Sequence, residues 1–276
     1  MHSSHTRLST WFWGAYLLTT QTPGISSVQF QRQLGLTRNQ TAFTMLHKLR
    51  SAMVRLDRDK IGSEYPVELD ECYVGGATRG EGCGVHHMST VIGAVEVRTK
   101  KLPDDPKIER VKRQYKKGKA TTNKKTTYAG RLRLQVIPDR CGDTLNEFVK
   151  ENVASPTTIY SDGWQGYNKF PELGYKHKPL VLDGDPEKAE AHLPVIHRAF
   201  SNLKTWILGT HHGRVEPQHL QAYLNEYVFR FNRRFHPMAG FNSILGLAVR
   251  TLSPTYEELY SGTWEHPGSC PNIEFL

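Results

Sequence analysis

The sequence predicts an α/β fold in which a mixed β-sheet is flanked by helices and preceded by a small helical domain. Two observations predict this fold. Apolar runs of strand length, bounded by turn residues, recur after Pro66. Apolar residues at helical spacing dominate the segments before and after those runs. With 38% hydrophobic residues in 276, the chain has enough apolar material for a substantial core.

The sheet is predicted from five strand-like segments. Residues 67–74 end at a Gly-Gly pair, and STVIGAVEVR (89–98) and GRLRLQVIP (130–138) follow. A short amphipathic helix over 144–153 separates them from a strand at 157–160, and 178–182 is a weaker fifth candidate. Two longer helices then begin at residues 196 and 219, and both carry apolar stripes that indicate packing against the sheet.

The first 55 or so residues are basic and helical in pattern. Residues 24–27 supply a turn and an N-cap for one helix, and Gly35-Leu36-Thr37 predicts a tight turn with a second cap. A longer helix over 38–53 follows. Helix, glycine turn and helix at this length are typical of a helix-turn-helix, although an ordinary helical hairpin fits equally well. In the first case the recognition helix begins with Arg38, Asn39, Gln40 and Thr41.

Charge indicates a polyanionic partner. The chain has 36 Lys+Arg against 27 Asp+Glu, a net charge of +9, and such a surplus favours binding to nucleic acid because neutralised phosphates release counterions. Residues 99–128 are the most basic segment and contain few apolar residues. That segment is predicted to be either a solvated insertion or an arm that contacts DNA.

The four cysteines are scattered, with no C-x-x-C pair. This spacing argues against a zinc ribbon and against a disulfide scaffold, and it is typical of a reducing compartment. The apolar stretch over 11–18 is too short to span a bilayer and lacks a signal-peptide cleavage pattern. We therefore expect a cytoplasmic protein with no membrane partner.

Two aspartates and a histidine form a candidate catalytic site. Asp70 and Asp162 each close a strand-like run, and His197 opens a helical pattern on which Lys204 lies two turns further along the same face. Carboxylates at strand ends can bridge two divalent metal ions for phosphoryl transfer. Taken singly, each residue is better explained as a strand-end charge, an Asp-Gly turn or a structural histidine. Their joint order favours the catalytic interpretation.

The motifs around these residues resemble one family of bacterial insertion-sequence transposases, the IS-fifteen-ninety-five group. The resemblance rests on VELDECYVGG (67–76), YSDGWQGY (160–167), HLPVIHRAFSNLKTWILGTHHG (192–213) and HLQAYLNEYVFRFNRR (219–234). Upstream, WFWGAY, GISSVQFQRQLGLTRNQTAF and MLHKLRSAM are similar to that family's helix-turn-helix region. The likeness covers nearly the whole chain and implies a ribonuclease-H-like fold with a D-D-(N/H/E)-K signature.

The resemblance implies a DDE-type transposase that cleaves DNA strands at element ends and transfers them to target DNA. Asp70, Asp162 and His197 would bind two divalent ions, Mg²⁺ or Mn²⁺, and Lys204 would hold a phosphate. The implied partner is double-stranded DNA, both element ends and target, with a homodimer or larger assembly in the active complex.

Two departures from the family pattern stand out. The family usually begins with a cysteine zinc ribbon, whereas this sequence opens with MHSSHTRLST, which we interpret as an N-terminal truncation or a start codon read too late. The third ligand is histidine, which suits Mn²⁺ better than Mg²⁺. Glu187 and Glu190 are nearby substitutes, but they precede the helix and break the spacing.

The predicted organisation is a helix-turn-helix region over 1–60, a catalytic domain over 61–240 with the basic insertion 99–128, and a C-terminal tail over 241–276. Two other functions remain compatible with the sequence. One is a non-catalytic or decayed DNA-binding protein, and the other is a metal-dependent nuclease of the same fold that does not transfer strands. Metal-dependent cleavage and joining assays separate the three.

Overall fold

A computed structural model describes residues 4–55, 57–75, 88–99, 127–180, 193–213, 215–249 and 251–270. Most of the basic insertion predicted over 99–128 lies outside the described residues, as do Glu187 and Glu190.

Three helices form the N-terminal region: α1 (Leu8–Thr20), α2 (Ser27–Leu34) and α3 (Asn39–Ser51). The predicted turn residues are confirmed at both ends of α2. The Ser26 side chain accepts a hydrogen bond from the Gln29 amide at 3.2 Å, and Gly35 ends the helix in the left-handed conformation, with φ of 63°.

The second cap predicted at Thr37 is wrong, because α3 begins one residue later than that prediction requires. Arg38 takes the N-cap position and makes no side-chain capping bond. The Gln31 side-chain amide instead donates to the carbonyls of Leu36 and Thr37, at 3.1 and 3.3 Å. The turn between α2 and α3 is therefore closed by a side chain of α2.

The predicted mixed sheet is confirmed, with five strands in the order β3-β2-β1-β4-β5. Strands β1, β2 and β3 pair antiparallel, whereas β4 pairs parallel with both β1 and β5. The strands are β1 (Val67–Val74), β2 (Ser89–Thr99), β3 (Thr127–Ile137), β4 (Thr158–Asp162) and β5 (Lys176–Leu180). The fifth strand begins two residues earlier than the sequence predicts, and Asp162 ends β4 as expected of a residue that closes the run.

Helices cover both faces of the sheet. On one face, α4 (Gly142–Asn152) buries Leu145, Phe148 and Val149 against the sheet. On the other, α5 (Pro194–His211) and α6 (Pro217–Asn232) form a larger core with β1, β2 and β3. Their predicted apolar stripes are buried there, including Ile196, Ala199, Phe200, Leu203, Ile207, Leu220 and Leu224.

Two helices are described at the C-terminal end of the chain: α7 (Pro237–Ala248), which begins before the tail predicted over 241–276, and α8 (Tyr256–Ser261), which lies within it. Helix α7 packs against α1, and Ile244 of α7 and Phe229 of α6 share a buried cluster with α1, α2 and α3. The N-terminal helices are thus packed on the C-terminal ones, and the domain boundaries at 60 and 240 stay predictions. Among the described residues, no helix is both long and apolar enough to cross a membrane.

Candidate active site

Strands β1 and β4 place Asp70 and Asp162 at matching positions. The two strands run parallel, with Val67 paired to Ile159 and Glu68 paired to Tyr160. Two residues further along each strand stand Asp70 and Asp162, the latter at the carboxyl end of β4. Since side chains alternate between faces along a strand, both aspartates occupy the face on which Glu68 lies.

That face is the one covered by α5. The Glu68 carboxylate, only 4% exposed, accepts hydrogen bonds from the backbone amides of Val195 and Ile196, both at 2.8 Å. These amides belong to the first turn of α5 and have no partner within the helix, and a carboxylate there is also favoured by the helix dipole. Glu68 therefore fixes the start of α5 on β1, two residues before Asp70.

A glycine on β2 lets α5 lie close to the sheet at the same level. Gly93 pairs with Asp70 across β1 and β2. A Cβ atom at Gly93 would stand 2.8 Å from the ring of Phe200 on α5, closer than van der Waals contact allows. Glycine in a strand interior often marks such a close approach, and here the approach brings the first turns of α5 beside Asp70.

Helix α5, held by Glu68, places His197 in contact with Asp70. The His197 Nε2 lies 3.0 Å from Asp70 Oδ2, and the side chains remain 30% and 16% exposed. The other oxygen of Asp70, Oδ1, accepts from the backbone amide of Glu71 at 2.8 Å. The structure thus joins two of the four predicted residues directly, at a position open to solvent.

Lys204 lies two turns after His197 on α5 and is exposed. Its ammonium group interacts electrostatically with Cys72, which lies two residues after Asp70 on the same face of β1. Burial raises the pKa of the Cys72 thiol to about 12, while the Lys204 ammonium lowers that pKa and the Asp70 carboxylate raises it. Lys204 and Asp70 are therefore both within electrostatic range of one thiol, as expected if they border one cleft.

A polar network supports the strand ends from the opposite side. The Arg140 guanidinium binds the buried Glu71 carboxylate at 2.8 Å, and the Tyr167 hydroxyl donates to the same carboxylate. Arg140 also stacks over the Trp164 ring at 4.7 Å, and the Trp164 amide donates to Asp162 Oδ1 at 3.0 Å. Burial raises the pKa of Glu71, although the bonds from Tyr167 and Arg140 lower it.

Sequence reasoning missed these supporting residues. Asp70 and Asp162 were predicted because each closes an apolar run; Asp162 does end β4, whereas Asp70 lies in the middle of β1. Glu68, Glu71 and Arg140 were passed over. A signal was present in Val67-Glu68-Leu69-Asp70-Glu71, where two further acids interrupt a strand that must be largely buried. Buried carboxylates need hydrogen-bond partners. Glu68 and Glu71 therefore each indicated that a helix N-terminus or a buried cation packs against β1.

Asp70, Asp162 and His197, with Lys204, are called the carboxylate site below. Its donor set of two carboxylates from adjacent strands and one imidazole from α5, all partly exposed, fits a divalent metal ion. The imidazole nitrogen and a carboxylate oxygen already stand 3.0 Å apart, a spacing at which both can bind one ion.

A mixed five-stranded sheet flanked by helices, with acids at matching positions of two adjacent parallel strands, is the architecture of a ribonuclease-H-like transposase domain. The family model of the ISXO2-like transposase domain matches residues 62–232, which include the whole sheet and both long helices α5 and α6. The chain belongs to this family of DDE transposases, the IS-fifteen-ninety-five group that its motifs resemble. No curated protein matches the chain. Transposases of this family act on DNA and generally use divalent metal ions.

Proposed function

We propose that this transposase cleaves DNA strands at the ends of an insertion sequence and joins the freed 3′ hydroxyl to target DNA. The observation that carries the proposal is the contact between His197 on α5 and Asp70 on β1, next to the position that Asp162 takes on the neighbouring strand. The three donors come from three separate elements and lie on one face of the sheet.

In this proposal Asp70, Asp162 and His197 hold two divalent ions, Mg²⁺ or Mn²⁺. When bound, such ions activate an oxygen nucleophile and stabilise the leaving oxygen of a phosphodiester. The protein contributes a preformed arrangement. Glu68 fixes α5, and with it His197, while the Glu71 amide orients Asp70 and the Trp164 amide orients Asp162.

Lys204 is proposed to hold a phosphate of the DNA strand. Its ammonium is exposed and lies on the face of α5 that carries His197. A lysine binds phosphate as a compact point charge without demanding one geometry, which suits a strand that must shift between cleavage and joining. An exposed ammonium beside acidic metal ligands also limits their mutual repulsion before the substrate arrives.

Helices α2 and α3 are proposed to act as a helix-turn-helix that reads the element ends. Arg38, Asn39 and Gln40 stand exposed at the start of α3, where base edges can be reached. Gln40 also donates to the Tyr256 hydroxyl of α8 at 2.8 Å. The net charge of +9 would supply the sequence-independent part of binding, and two or more copies of the chain would bring two ends together.

The test is strand transfer on oligonucleotides that carry the element's terminal repeats, with Mg²⁺ or Mn²⁺. Asp162→Asn should lower the joining rate by roughly 1,000-fold or more, because metal-based charge stabilisation is worth several kcal/mol and each 1.36 kcal/mol is tenfold. Asp143→Asn is the matched control, since that carboxylate is 92% exposed on α4, on the other face of the sheet.

The outcomes separate the alternatives. Cleavage without joining would indicate a nuclease of the same fold, and DNA binding without metal-dependent cleavage would indicate a regulator or a decayed transposase. Equal rates for Asp162→Asn and Asp143→Asn would exclude Asp162 from the site.

A further inference from the structure

Three histidines that are far apart in sequence meet inside the protein, away from the carboxylate site. His47 lies on α3, His219 on α6, and His266 in the segment after α8. One ring nitrogen from each lies within 4.8 Å of the other two. All three side chains are buried, with 0%, 7% and 4% exposure respectively. These residues are called the histidine cluster.

The nitrogens of this cluster are largely unsatisfied. Among the described residues, neither ring nitrogen of His47 or His266 has a hydrogen-bond partner, and the same holds for Nδ1 of His219. Buried polar atoms without a partner are rare in native proteins, because a group that has lost its water and gained no hydrogen bond destabilises the fold. Five such nitrogen atoms in three neighbouring rings indicate that the cluster binds a ligand.

The surroundings keep the rings neutral and hold them in place. The Phe43 ring packs on His47 at 4.3 Å and on His219 at 5.5 Å between centroids. Burial lowers the pKa of His47 and of His219 and lowers that of His266 to about 3. Neutral imidazole is the form that binds metal ions.

Charged groups of both signs lie near the cluster, and the Glu216 carboxylate is 4.0 Å from His219 Nε2. Arg50 lies one turn after His47 on α3 and contributes to the lowered pKa of His47. Its guanidinium is bound to the buried Glu226 carboxylate at 2.9 Å, and Arg230 binds the other oxygen of the same carboxylate at 3.3 Å. Two guanidinium groups therefore share one carboxylate, and the affinity for a cation would have to come from the three imidazole nitrogens.

We propose that His47, His219 and His266 bind one transition-metal ion, with Zn²⁺ the preferred species. Three imidazoles without a carboxylate suit Zn²⁺ and exclude the hard cations Mg²⁺ and Ca²⁺. Nitrogens bound tetrahedrally at about 2.0–2.1 Å from Zn²⁺ stand roughly 3.4 Å apart, so small ring rotations from the present separations complete the site. A water molecule would take the fourth position.

The ion would add a bond between three parts of the chain that the Arg50–Glu226 ion pair and the hydrogen bond from Asn225 to the Pro267 carbonyl already connect in pairs. It would tie α3, which begins with the proposed DNA-reading residues, to α6, which packs on the catalytic sheet, and to the C-terminal segment. Because the ligands lie in widely separated segments, binding energy at this site is folding energy for the junction between them. The ion would therefore set the orientation of α3 relative to the carboxylate site.

The test is metal binding by the full chain in an Asp70→Asn/Asp162→Asn background, which disables the carboxylate site. Co²⁺ serves as the spectroscopic probe and Zn²⁺ as its competitor. We expect one Co²⁺ per chain with tetrahedral visible absorption, displaced by one Zn²⁺. Since losing an outer-shell partner alone lowers metal affinity by roughly 10–100-fold, His266→Gln should lower affinity by more than about 100-fold. His5→Gln, which changes an exposed histidine, should leave affinity unchanged.

X-ray absorption of the Zn²⁺-loaded background chain provides a measurement that needs no cluster variant. A first shell with three imidazole nitrogens is expected, and it supports the site even if His266→Gln does not fold. Three results would overturn the proposal: no stoichiometric Co²⁺ or Zn²⁺ binding by the folded background chain, unchanged affinity in folded His266→Gln, or a first shell without imidazole. Because the background lacks the two aspartates, each result is independent of whether the carboxylate site is catalytic.

Discussion

The carboxylate site and the histidine cluster differ in solvent access and in how fully their polar atoms are paired. In the carboxylate site, both oxygens of Asp70 have partners, and Asp70 and His197 remain partly exposed. In the histidine cluster, all three rings are buried and five nitrogens lack a hydrogen-bond partner among the described residues. Both sites contain histidine, but its environment is opposite in the two.

This difference separates two uses of a metal-binding side chain. An open, charged site admits DNA phosphates and lets hard ions exchange with solvent, which phosphoryl transfer requires. A buried site of neutral imidazoles excludes a macromolecular substrate, and an ion held there would stabilise the fold rather than meet a substrate. The contrast predicts that pH, helix position and metal identity affect the two sites differently.

The largest effect we expect is acid destabilisation that originates in the histidine cluster. The pKa values of its histidines are lowered in the folded protein, so the unfolded chain takes up protons first as the pH falls. The stability that the neutral histidines contribute is fully present above pH 6.5, the ordinary pKa of histidine in the unfolded chain. It is lost as the pH falls toward about 3, the pKa of His266 in the folded protein. Within this pH range, each histidine lowers the free energy of unfolding by roughly 1.4 kcal/mol per unit fall in pH.

Urea unfolding of the metal-free protein between about pH 6.5 and pH 4.5 measures that slope. His266→Gln should reduce it by the share of one histidine, and His5→Gln should not change it. The charged and titratable groups around the cluster are Arg50, His211, Glu216 and Glu226. An unchanged slope in His266→Gln would show that the ring already protonates in the folded state.

A smaller effect is expected where Glu68 positions α5. Glu68→Ala removes the acceptor for the Val195 and Ile196 amides, which should lower stability by about 1–2 kcal/mol, the usual size of an N-cap loss. Strand transfer should fall by about tenfold, since 1.36 kcal/mol of lost positioning at His197 suffices for that factor. The histidine cluster should keep its metal affinity.

Glu68→Gln tests whether position is the cause, because an amide oxygen can still accept from both backbone groups. It should restore most of the strand-transfer rate. Glu147→Ala is the matched control, as that side chain is exposed on α4. Equal losses in Glu68→Ala and Glu147→Ala, or no recovery in Glu68→Gln, would contradict a positioning role.

The sequence predicted most of the sheet because strands and helices leave periodic local signals. Strand β1 was predicted over its full length, and the order of Asp70, Asp162 and His197 was sufficient to propose a site. The short helix α8 was missed although Thr255 and Glu258 form a capping box that the sequence displays. Helix α7, with glycines at 240 and 246, has no comparable local signal.

The histidine cluster could not be predicted, for a physical reason. Its ligands come from α3, α6 and a C-terminal segment, and only tertiary packing brings them together. The argument against a zinc site rested on cysteine spacing, which says nothing about histidines that are dispersed along the chain. The contact of α5 with Gly93 is similar, because a strand glycine indicates a close approach but does not identify the approaching helix.

The smallest change we expect is in metal preference at the carboxylate site. His197→Glu replaces an imidazole nitrogen with a harder oxygen donor, at a side chain that is 30% exposed and can hold a charge without full desolvation. The variant should keep its activity, and the ratio of strand-transfer rates in Mn²⁺ and Mg²⁺ should move toward Mg²⁺. His236→Glu, at an exposed position, should leave the ratio unchanged. If His197→Glu leaves that ratio unchanged as well, His197 is not a ligand, and its contact with Asp70 serves only to hold α5 against the strand.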